Sequence, residues 1–334
     1  MSTKIVITDC DFIEDEWERT QLAGEAEVVY GNCRTEQEVI DLASDADAML
    51  IQYAPITRGV IESLRKCRAI SRYGIGVDTI DISAATENGI YVTNVPDYCV
   101  DEVSDHACAL ILAIVRGVPL LDRTVRRGQW DVSLAAPIYA CSRMVLGVVG
   151  LGKTARRTIE KIKPFGFEIL VFDPFVSEDQ VAATGAQKVG LDELLTRSDV
   201  VSLHAPLTAE TRHMMGSAQF ALMKNTALLV NTSRGGLVDE GALLSALENH
   251  QLGGAALDVL ETEPIKADHP LLRCEQVIVT PHAAYYSETS QQELRRRTLL
   301  NVTDLLQGKD PGTVLNPEAG EIAKAAGAAA NRKG

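Results

Sequence analysis

The sequence predicts an α/β protein of two domains, each built on a parallel sheet. Its 334 residues suit two domains, at roughly 100–200 residues each. Short β-branched runs alternate with amphipathic segments, which is typical of parallel strands joined by crossover helices. One predicted strand, Met144–Val149, runs directly into a glycine-rich turn. The composition, 46% hydrophobic and 23% charged, is that of a globular protein and excludes a disordered or fibrous chain.

The first third of the chain contains three predicted strands with helices between them. β-branched residues mark Lys4–Thr8, Ala46–Ile51 and Ala69–Tyr73 as strands. Apolar residues at helical spacing mark Glu36–Ala43 and Arg58–Cys67 as amphipathic helices. The alternation predicts a parallel sheet in this part of the chain.

A long helix and an irregular stretch follow. Asp101–Val115 opens with acidic residues, which favour a helix N-terminus, and its second half is apolar nearly all round, so we expect it to be buried. Arg123–Arg143 contains Gly128, Trp130 and Pro137 and lacks a regular pattern. We interpret it as an arm or loop and as a candidate subunit contact.

A second α/β series begins at Met144 and predicts a doubly wound sheet. Its six predicted strands are Met144–Val149, Glu168–Phe172, Val200–Leu203, Ala227–Asn231, Ala255–Val259 and Val277–Thr280. A long helix is predicted over Ser287–Leu306. The tail Ala319–Gly334 is rich in Ala, Gly and Lys, and we expect it to be frayed or disordered.

The charge and the cysteines limit the partners and the compartment. A net charge of −14 disfavours nucleic acid and anionic lipid as general partners. The longest apolar run is too short to cross a bilayer, and we expect no membrane association and no secretory signal. Seven scattered cysteines without a Cys-x-x-Cys pair indicate reduced thiols and a cytoplasmic location. No residues have metal-ligand spacing, so no metal is expected.

The turn after Met144–Val149 has the pattern Gly-x-Gly-x-x-Ala and is followed by a predicted helix. Gly150 permits the tight turn, Gly152 lets the backbone approach a pyrophosphate, and Ala155 allows the helix to pack closely on the strand. The helix N-terminus offers N–H groups to phosphates. Many isolated matches to this pattern are ordinary turns, but here the strand and the helix are both present, which favours a dinucleotide site.

Asp173 ends the next predicted strand, at about the 20-residue spacing expected from the first glycine. A carboxylate there accepts hydrogen bonds from the adenosine ribose hydroxyls and repels a 2′-phosphate. No arginine follows in Pro174 or Phe175. These features favour NAD over NADP, and the alternative is a solvated aspartate at a strand end.

Three later strands each precede an ionisable residue: Arg234, Glu263 and His282. The carboxyl ends of parallel strands form one edge of the sheet, where ligands bind. Arginine binds a carboxylate, histidine exchanges the proton of a hydroxyl group, and glutamate fixes the tautomer of a histidine and favours its protonated form. Together they favour redox chemistry on a small anion. Taken singly, they have ordinary alternatives: a surface ion pair, a turn residue and a backbone-bonded histidine.

Taken together, these motifs resemble the D-2-hydroxyacid dehydrogenase family. The resemblance runs from Lys4 to about Asn316 and rests on Gly-Leu-Gly-Lys-Thr-Ala, Leu203–Thr211, Asn-Thr-Ser-Arg-Gly, Asp-Val-x-x-x-Glu-Pro and Thr-Pro-His-Ala-Ala. It implies a doubly wound NAD domain, 99–289, inserted into a flavodoxin-like substrate domain formed by 1–98 and 290–334. It also implies a homodimer that interconverts a small 2-oxo acid and its 2-hydroxy acid with NAD.

The resemblance also implies the site residues. Arg234, Glu263 and His282 match the catalytic triad of the family. The residues that match its NAD site are Gly150, Leu151, Gly152, Lys153, Thr154, Asp173, His204, Pro206, Thr211, Thr232, Ser233 and Asp258. Those that match its substrate site are Tyr53, Arg72, Gly74, Ile75, Gly76 and Tyr285. The glycine-flanked loop at 74–76 suits an anion-binding nest.

Within the family, the chain is most similar to the C-terminal-binding-protein branch. Arg72 and Tyr53 match that branch, whereas Tyr285 stands where it has Trp, and Ile75 replaces a serine that contacts the cofactor. An NAD-sensing corepressor or peptide-binding module is therefore an alternative to the reductase. Oxidation of another small anion is a further alternative: Glu263 disfavours formate, because formate-oxidising relatives have Gln there, but phosphite-oxidising relatives keep the triad.

Overall fold

The computed structural model describes residues 2–12 and 16–323. Contacts between Cα atoms divide the chain into two units. The first unit consists of the chain up to Tyr98 together with the part that begins at Ser287, and the second unit is Cys99–Tyr286. The chain therefore leaves the first unit once and returns to it once.

Twelve strands and twelve α-helices are described in this part of the chain. The strands are β1 (Thr3–Ile7), β2 (Ala26–Tyr30), β3 (Ala48–Ile51), β4 (Ala69–Arg72), β5 (Tyr91–Thr93), β6 (Val145–Val149), β7 (Glu168–Phe172), β8 (Gln187–Lys188), β9 (Val200–Leu203), β10 (Leu228–Asn231), β11 (Gly254–Leu257) and β12 (Val277–Val279). The helices are α1 (Trp17–Gln21), α2 (Glu36–Ala43), α3 (Arg58–Ser63), α4 (Ile82–Glu87), α5 (Val100–Val115), α6 (Val118–Arg126), α7 (Lys153–Ile162), α8 (Glu178–Ala182), α9 (Leu191–Arg197), α10 (Ser217–Leu222), α11 (Glu240–Glu248) and α12 (Glu288–Leu306).

The first unit contains a five-stranded parallel sheet with the order β2-β1-β3-β4-β5. Side chains of β1 alternate between its two faces, as the period of a strand requires. Val6 packs in the cluster that contains α2, α3 and α4, whereas Ile5 and Ile7 pack with Leu294 and Val302 of α12. Both faces of the sheet are therefore covered by helices.

The second unit contains a seven-stranded parallel sheet with the order β12-β11-β10-β9-β6-β7-β8. From β6 the chain builds outward through β7 and β8, and then crosses to β9 on the other side of β6. This is a doubly wound sheet whose strand order switches between β6 and β9. Ligands of such sheets bind outside the carboxyl ends of the strands at the switch point.

Three strands were absent from the sequence prediction, namely β2, β5 and β8, and all three are edge strands. An edge strand has a neighbour on one side only, so it is often short and carries a weak apolar pattern. β8, for example, is only Gln187–Lys188. The buried strands β7 and β9 have the predicted bounds, because continuous apolar runs mark fully buried parallel strands.

The stretch interpreted as an arm, Arg123–Arg143, begins within helix α6. α6 is followed by short 3₁₀ turns at Val132–Ala135 and Cys141–Arg143. Several of its apolar side chains are exposed, above all Trp130 at 90% and Val132 at 72%. Within the described residues, no helix combines the length and the apolar composition of a membrane span.

The predicted disordered tail lies mostly outside the described residues. Where it is described, the prediction is wrong: residues 319–323 are helical, and Ala319 is fully buried. Asn316 holds this end of the chain to β5, because its side chain accepts a hydrogen bond from the N–H of Val92 and donates to the carbonyl of Ile90.

Candidate active site

β6 leads into the glycine turn, in which Gly150 and Gly152 have different structural roles. Gly150 has a φ of +89°, and a Cβ there would lie 2.9 Å from the backbone nitrogen of Ala205. Only glycine is accommodated at that position. Gly152, the residue before α7, has no heavy atom within 4 Å of its Cβ position. It leaves open space beside the N–H groups of the α7 N-terminus, where a phosphate can approach.

Asp173 follows β7 and braces this turn. Its Oδ2 accepts a hydrogen bond from the N–H of Leu151 at 2.8 Å, and its Oδ1 accepts one from the N–H of Phe175 at 2.8 Å. Each carboxylate oxygen keeps a further lone pair. A negatively charged acceptor for sugar hydroxyls is therefore fixed at the edge of the glycine turn.

Two buried polar atoms beyond β9 and β10 have no hydrogen-bond partner among the described residues: Nδ1 of His204 and Oγ1 of Thr232. The other ring nitrogen of His204 lies 2.9 Å from Oγ of Ser202. Burial lowers the pKa of His204 to about 4, so its ring is neutral at pH 7. Buried polar atoms are ordinarily paired, so these two atoms indicate a place for a polar ligand.

The other predicted cofactor residues lie past the same strand ends. Leu151, in the glycine turn before α7, is buried. Lys153 is exposed in the first turn of α7, next to the half-buried Thr154. Thr211 donates its hydroxyl to the carbonyl of Pro206 at 2.7 Å, which closes the loop after β9. Ser233 donates to the carbonyl of Leu203 at 2.9 Å.

These features fit a dinucleotide such as NAD. An open glycine turn at a helix N-terminus suits a pyrophosphate, and a carboxylate one strand away suits a ribose. The unpaired polar atoms of His204 and Thr232 lie past the central strands β9 and β10. No group of three or more His, Cys, Asp or Glu residues is arranged to hold a metal ion in the part of the chain that the structure describes.

Glu263 and His282 form a hydrogen bond of 2.6 Å between Oε2 and Nδ1. Oε1 of Glu263 accepts a second one from the N–H of Leu260 at 2.8 Å. Burial acts to raise the pKa of Glu263, but these hydrogen bonds outweigh it and hold that pKa below its ordinary value. Each side chain is about a third exposed, at 32% for His282 and 34% for Glu263. A partly exposed imidazole oriented by a carboxylate can act as a general acid or base.

Asp258 holds the loop that carries His282. Its side chain is closed to solvent and accepts hydrogen bonds from Oγ1 of Thr280 at 2.5 Å and from the N–H groups of the two residues after His282, both at 2.9 Å. His282 itself has a φ of +51° and donates its N–H to the carbonyl of Asp258. Burial acts to raise the pKa of Asp258, but hydrogen bonds from His106, Thr280 and the backbone hold it below its ordinary value.

Arg234 follows β10 and is half-buried. The side-chain amide of the buried Asn231 donates to the carbonyl of Arg234 at 2.9 Å. The next residue, Gly235, lies against the loop that carries Glu263, because a Cβ there would lie 1.9 Å from the carbonyl carbon of Leu260. The structure therefore places the Arg234 segment directly beside the Glu263 loop.

Tyr285, a predicted substrate residue, lies beside His282. The two ring centroids are 6.3 Å apart and the ring planes meet at 75°, which is an edge-to-face contact. The contact places a phenol ring next to the imidazole.

The remaining predicted substrate residues belong to the first unit. Tyr53 is 37% exposed, and its N–H donates to Oδ2 of Asp9 at 2.6 Å. Asp9 is buried, and it also accepts hydrogen bonds from the N–H groups of Gln52 and Ala54. The sequence prediction missed Asp9, which directly follows the first predicted strand but accepts its hydrogen bonds from a segment distant in the chain.

The loop at 74–76 is organised around Arg72. A Cβ at Gly74 would lie 1.4 Å from Nη1 of Arg72, so the guanidinium group lies over this glycine, whose φ is +137°. Asn94 donates its side-chain amide to the carbonyl of Ile75 at 2.7 Å, and Ile75 is 38% exposed. Gly76 is half-buried. The positive φ at position 74 favours glycine, and its missing side chain leaves room for this arginine.

Comparisons with known proteins agree on one family. A model described as "D-isomer specific 2-hydroxyacid dehydrogenase, NAD binding domain" matches residues 108–284. D-3-phosphoglycerate dehydrogenase of Methanocaldococcus jannaschii is 38% identical over 315 residues, which cover 94% of this chain and 59% of that enzyme. Glyoxylate reductase of Korarchaeum cryptofilum is 40% identical over 291 residues, which cover 85% of this chain and 87% of that enzyme. The chain thus spans about three fifths of the first relative and most of the second.

Solved structures share the fold. D-lactate dehydrogenase from Aquifex aeolicus, complexed with NAD and lactic acid, matches with a TM-score of 0.82 and 28% identity. The match covers 93% of this chain and 99% of that chain. The α/β fold with parallel sheets that the sequence predicted is confirmed.

Proposed function

Because this chain belongs to the D-isomer specific 2-hydroxyacid dehydrogenase family, we propose that it interconverts a small 2-oxo acid and its 2-hydroxy acid by hydride transfer, with NAD as cofactor. Arg234, Glu263 and His282 are the catalytic residues of this proposal. The observation that carries it is the 2.6 Å hydrogen bond between His282 and Glu263, at the carboxyl ends of neighbouring parallel strands.

The cofactor residues of the proposal are those past the ends of β6, β7, β9 and β10. Gly150, Gly152 and the α7 N-terminus hold the pyrophosphate, and Asp173 binds the ribose hydroxyls. Further contacts come from Leu151, Lys153, Thr154, His204, Pro206, Thr211, Thr232 and Ser233, while Asp258 holds the adjoining His282 loop. When bound, NADH supplies the hydride that reduces C2 of the oxo acid.

In the reduction direction, protonated His282 donates its proton to the carbonyl oxygen, and Glu263 stabilises the imidazolium before that transfer. Arg234 binds the substrate carboxylate and polarises the carbonyl. Oxidation of the alcohol runs through the same groups in reverse, with His282 accepting the hydroxyl proton.

The first unit contributes substrate residues in this proposal. Arg72 and the backbone of the 74–76 loop, which includes Gly74, Ile75 and Gly76, bind the substrate carboxylate. Tyr53 and, from the second unit, Tyr285 select the side chain of the acid. We accordingly assign 1–98 and 290–334 to a substrate domain and 99–289 to a dinucleotide-binding domain.

The test is turnover of NADH with glyoxylate and of NAD with D-lactate, glycerate and D-3-phosphoglycerate, the compounds after which the relatives are named. We expect at least one of these acids to be turned over, and turnover to be lost when His282 is replaced. NAD binding without turnover of any 2-oxo or 2-hydroxy acid would contradict the proposal.

We also propose a homodimer, formed through the arm Arg123–Arg143. Support comes from its exposed apolar side chains, because a monomer rarely leaves so many together in water. Light scattering is expected to give twice the chain mass, and Trp130→Ser combined with Val132→Ser is expected to give the monomer. Phe175→Ser is the matched control, since Phe175 is 94% exposed but lies outside the arm. A monomeric unmodified protein would contradict this assignment.

A further inference from the structure

Four ionisable side chains form a cluster that the proposed chemistry does not use. The carboxylate–imidazole cluster consists of His213, Glu240, Glu261 and His269. Nε2 of His213 lies 3.0 Å from Oε1 of Glu261, and Nε2 of His269 lies 3.3 Å from Oε2 of Glu240. The side chain of Glu240 is only 16% exposed, whereas those of His213 and Glu261 are 42% and 33% exposed, so Glu240 is the most buried member of a cluster that reaches the surface.

The two glutamates are joined by reciprocal hydrogen bonds. The N–H of Glu261 donates to Oε1 of Glu240 at 2.5 Å, and the N–H of Glu240 donates to Oε1 of Glu261 at 3.1 Å. Nδ1 of His269 accepts the N–H of Leu271, so Nε2 is the nitrogen that carries the proton toward Glu240. Each carboxylate thus has an imidazole on one side and a backbone N–H on the other, which offsets the repulsion between two neighbouring negative charges.

The cluster is one peptide group away from the catalytic carboxylate. Successive N–H groups of the same loop point to different glutamates: that of Leu260 donates to Glu263, and that of Glu261 donates to Glu240. The peptide group between Leu260 and Glu261 also lies against Gly235, the residue after Arg234. The N–H that orients Glu263 belongs to the preceding peptide group, Val259–Leu260, which shares the Cα of Leu260 with it. A shift of the Leu260–Glu261 peptide group would therefore disturb that N–H, and also the segment that carries Arg234.

We propose that Glu240 is a positioning residue, which fixes the Leu260–Glu261 peptide group and through it orients Glu263 toward His282. The proposal rests on the catalytic roles assigned above. The loop at 259–264 has no regular secondary structure, so backbone hydrogen bonds to side chains replace those of a strand or helix. His269 and the N–H of Glu261 hold the Glu240 carboxylate, and His213 holds the carboxylate of Glu261.

The direct test is amide exchange in the loop. In Glu240→Ala, hydrogen exchange of the Leu260 and Glu261 amides, followed by mass spectrometry or NMR, is expected to be at least about tenfold faster than in the unmodified protein. Glu248→Ala is the matched control, because Glu248 is an exposed glutamate at the other end of the same helix, α11. Unchanged exchange in Glu240→Ala overturns the proposal.

The kinetic test separates positioning from a general loss of structure. In the reduction direction, we expect Glu240→Ala to lower kcat about tenfold and to leave the Kd for NADH unchanged. The alkaline limb of the kcat–pH profile should move to lower pH, because a displaced Glu263 stabilises the imidazolium of His282 less. Glu240→Gln keeps an oxygen acceptor for the Glu261 N–H and is expected to stay within about threefold of the unmodified kcat. If the alanine variant is too unstable, Glu240→Asp tests the same link, since it keeps the charge but withdraws the acceptor by one methylene.

A double-mutant cycle decides whether Glu240 acts through Glu263. Once Glu263 is alanine, adding Glu240→Ala is expected to change kcat less than about twofold, because the group that it positions is gone. If Glu240→Ala lowers kcat by the same factor in the Glu263→Ala background as in the unmodified protein, the proposal is overturned. If the unmodified protein turns over no 2-oxo or 2-hydroxy acid, the proposed function fails, and the exchange experiment alone decides the positioning role.

Discussion

Nδ1 of His282 lies 2.6 Å from Oε2 of Glu263, although the two residues are 19 positions apart and belong to different loops. Glu263 follows β11 and His282 follows β12, and these strands are parallel neighbours with Leu257 opposite Val279. Because parallel neighbours end at the same edge of the sheet, both loops start from adjacent positions. The pairing of the proposed acid and its carboxylate is thus a consequence of strand order.

Replacing His282 by asparagine is expected to lower kcat by about 10²–10⁴-fold, the usual effect of losing an acid–base group. Asparagine is the suitable replacement because His282 has a φ of +51°, a conformation that asparagine tolerates. His250→Asn is the matched control, since His250 is exposed and has a φ of +56°. The measurement is steady-state kinetics with the 2-oxo or 2-hydroxy acid that the unmodified protein turns over fastest. Equal kcat in both variants would contradict the proton-transfer role of His282.

The two glycines of the turn are expected to respond differently to alanine. Gly152→Ala should change the free energy of unfolding by no more than about 1 kcal/mol, because its Cβ meets no atom, but should weaken NADH binding at least about tenfold by filling the phosphate approach. Gly150→Ala should instead destabilise the protein by about 1–3 kcal/mol, from strain at positive φ and contact with Ala205. Urea unfolding and fluorescence titration measure the two effects. Unimpaired NADH binding by Gly152→Ala would argue against this phosphate site.

The carboxylate of Asp173 is expected to make NADH a much better cofactor than NADPH. The charge repels a 2′-phosphate, so kcat/KM should favour NADH by about 100-fold or more, and Asp173→Asn should narrow that ratio about tenfold. Asparagine keeps an oxygen acceptor for the backbone of the glycine turn. Asp179→Asn, an exposed aspartate on α8, is the control and should leave the ratio as it is. Equal efficiency of NADH and NADPH in the unmodified protein would refute the role of Asp173.

His204 is expected to make stability depend on pH below neutrality. Burial lowers its pKa in the folded protein from 6.5 to about 4, so between these values the unfolded chain binds more protons than the folded one. The free energy of unfolding should therefore fall as the pH drops from about 6.5 toward 4, and should gain nothing further from this group above pH 6.5. His204→Asn should flatten this slope in urea unfolding curves, whereas His250→Asn should keep it. Equal dependence of the unfolding free energy on pH in the unmodified protein and both variants would contradict a buried, neutral His204.

Charged groups at the strand ends could be found from the sequence because apolar runs mark the strands that precede them. Arg234, Glu263 and His282 each follow such a run. The structural roles of Asp9 and Asp258 were harder to predict, because both side chains accept hydrogen bonds from N–H groups of segments that are distant in the chain. Asp9, for example, accepts hydrogen bonds from the N–H groups of Gln52, Tyr53 and Ala54, which are 43, 44 and 45 positions later in the chain. No local pattern records a partner at that distance.

The sequence by itself determined the alternation of buried strands and helices, the glycine turn and the types of the candidate catalytic residues. These follow from apolar periodicity, from the backbone freedom of glycine and from side-chain chemistry, all of which act within a few residues. Tertiary structure alone decided the edge strands β2, β5 and β8, the loop contacts of Asp258 and the link from Glu240 through the Leu260–Glu261 peptide group to Glu263. Those features depend on which segments the parallel pairing brings side by side, and that is a property of the whole sheet.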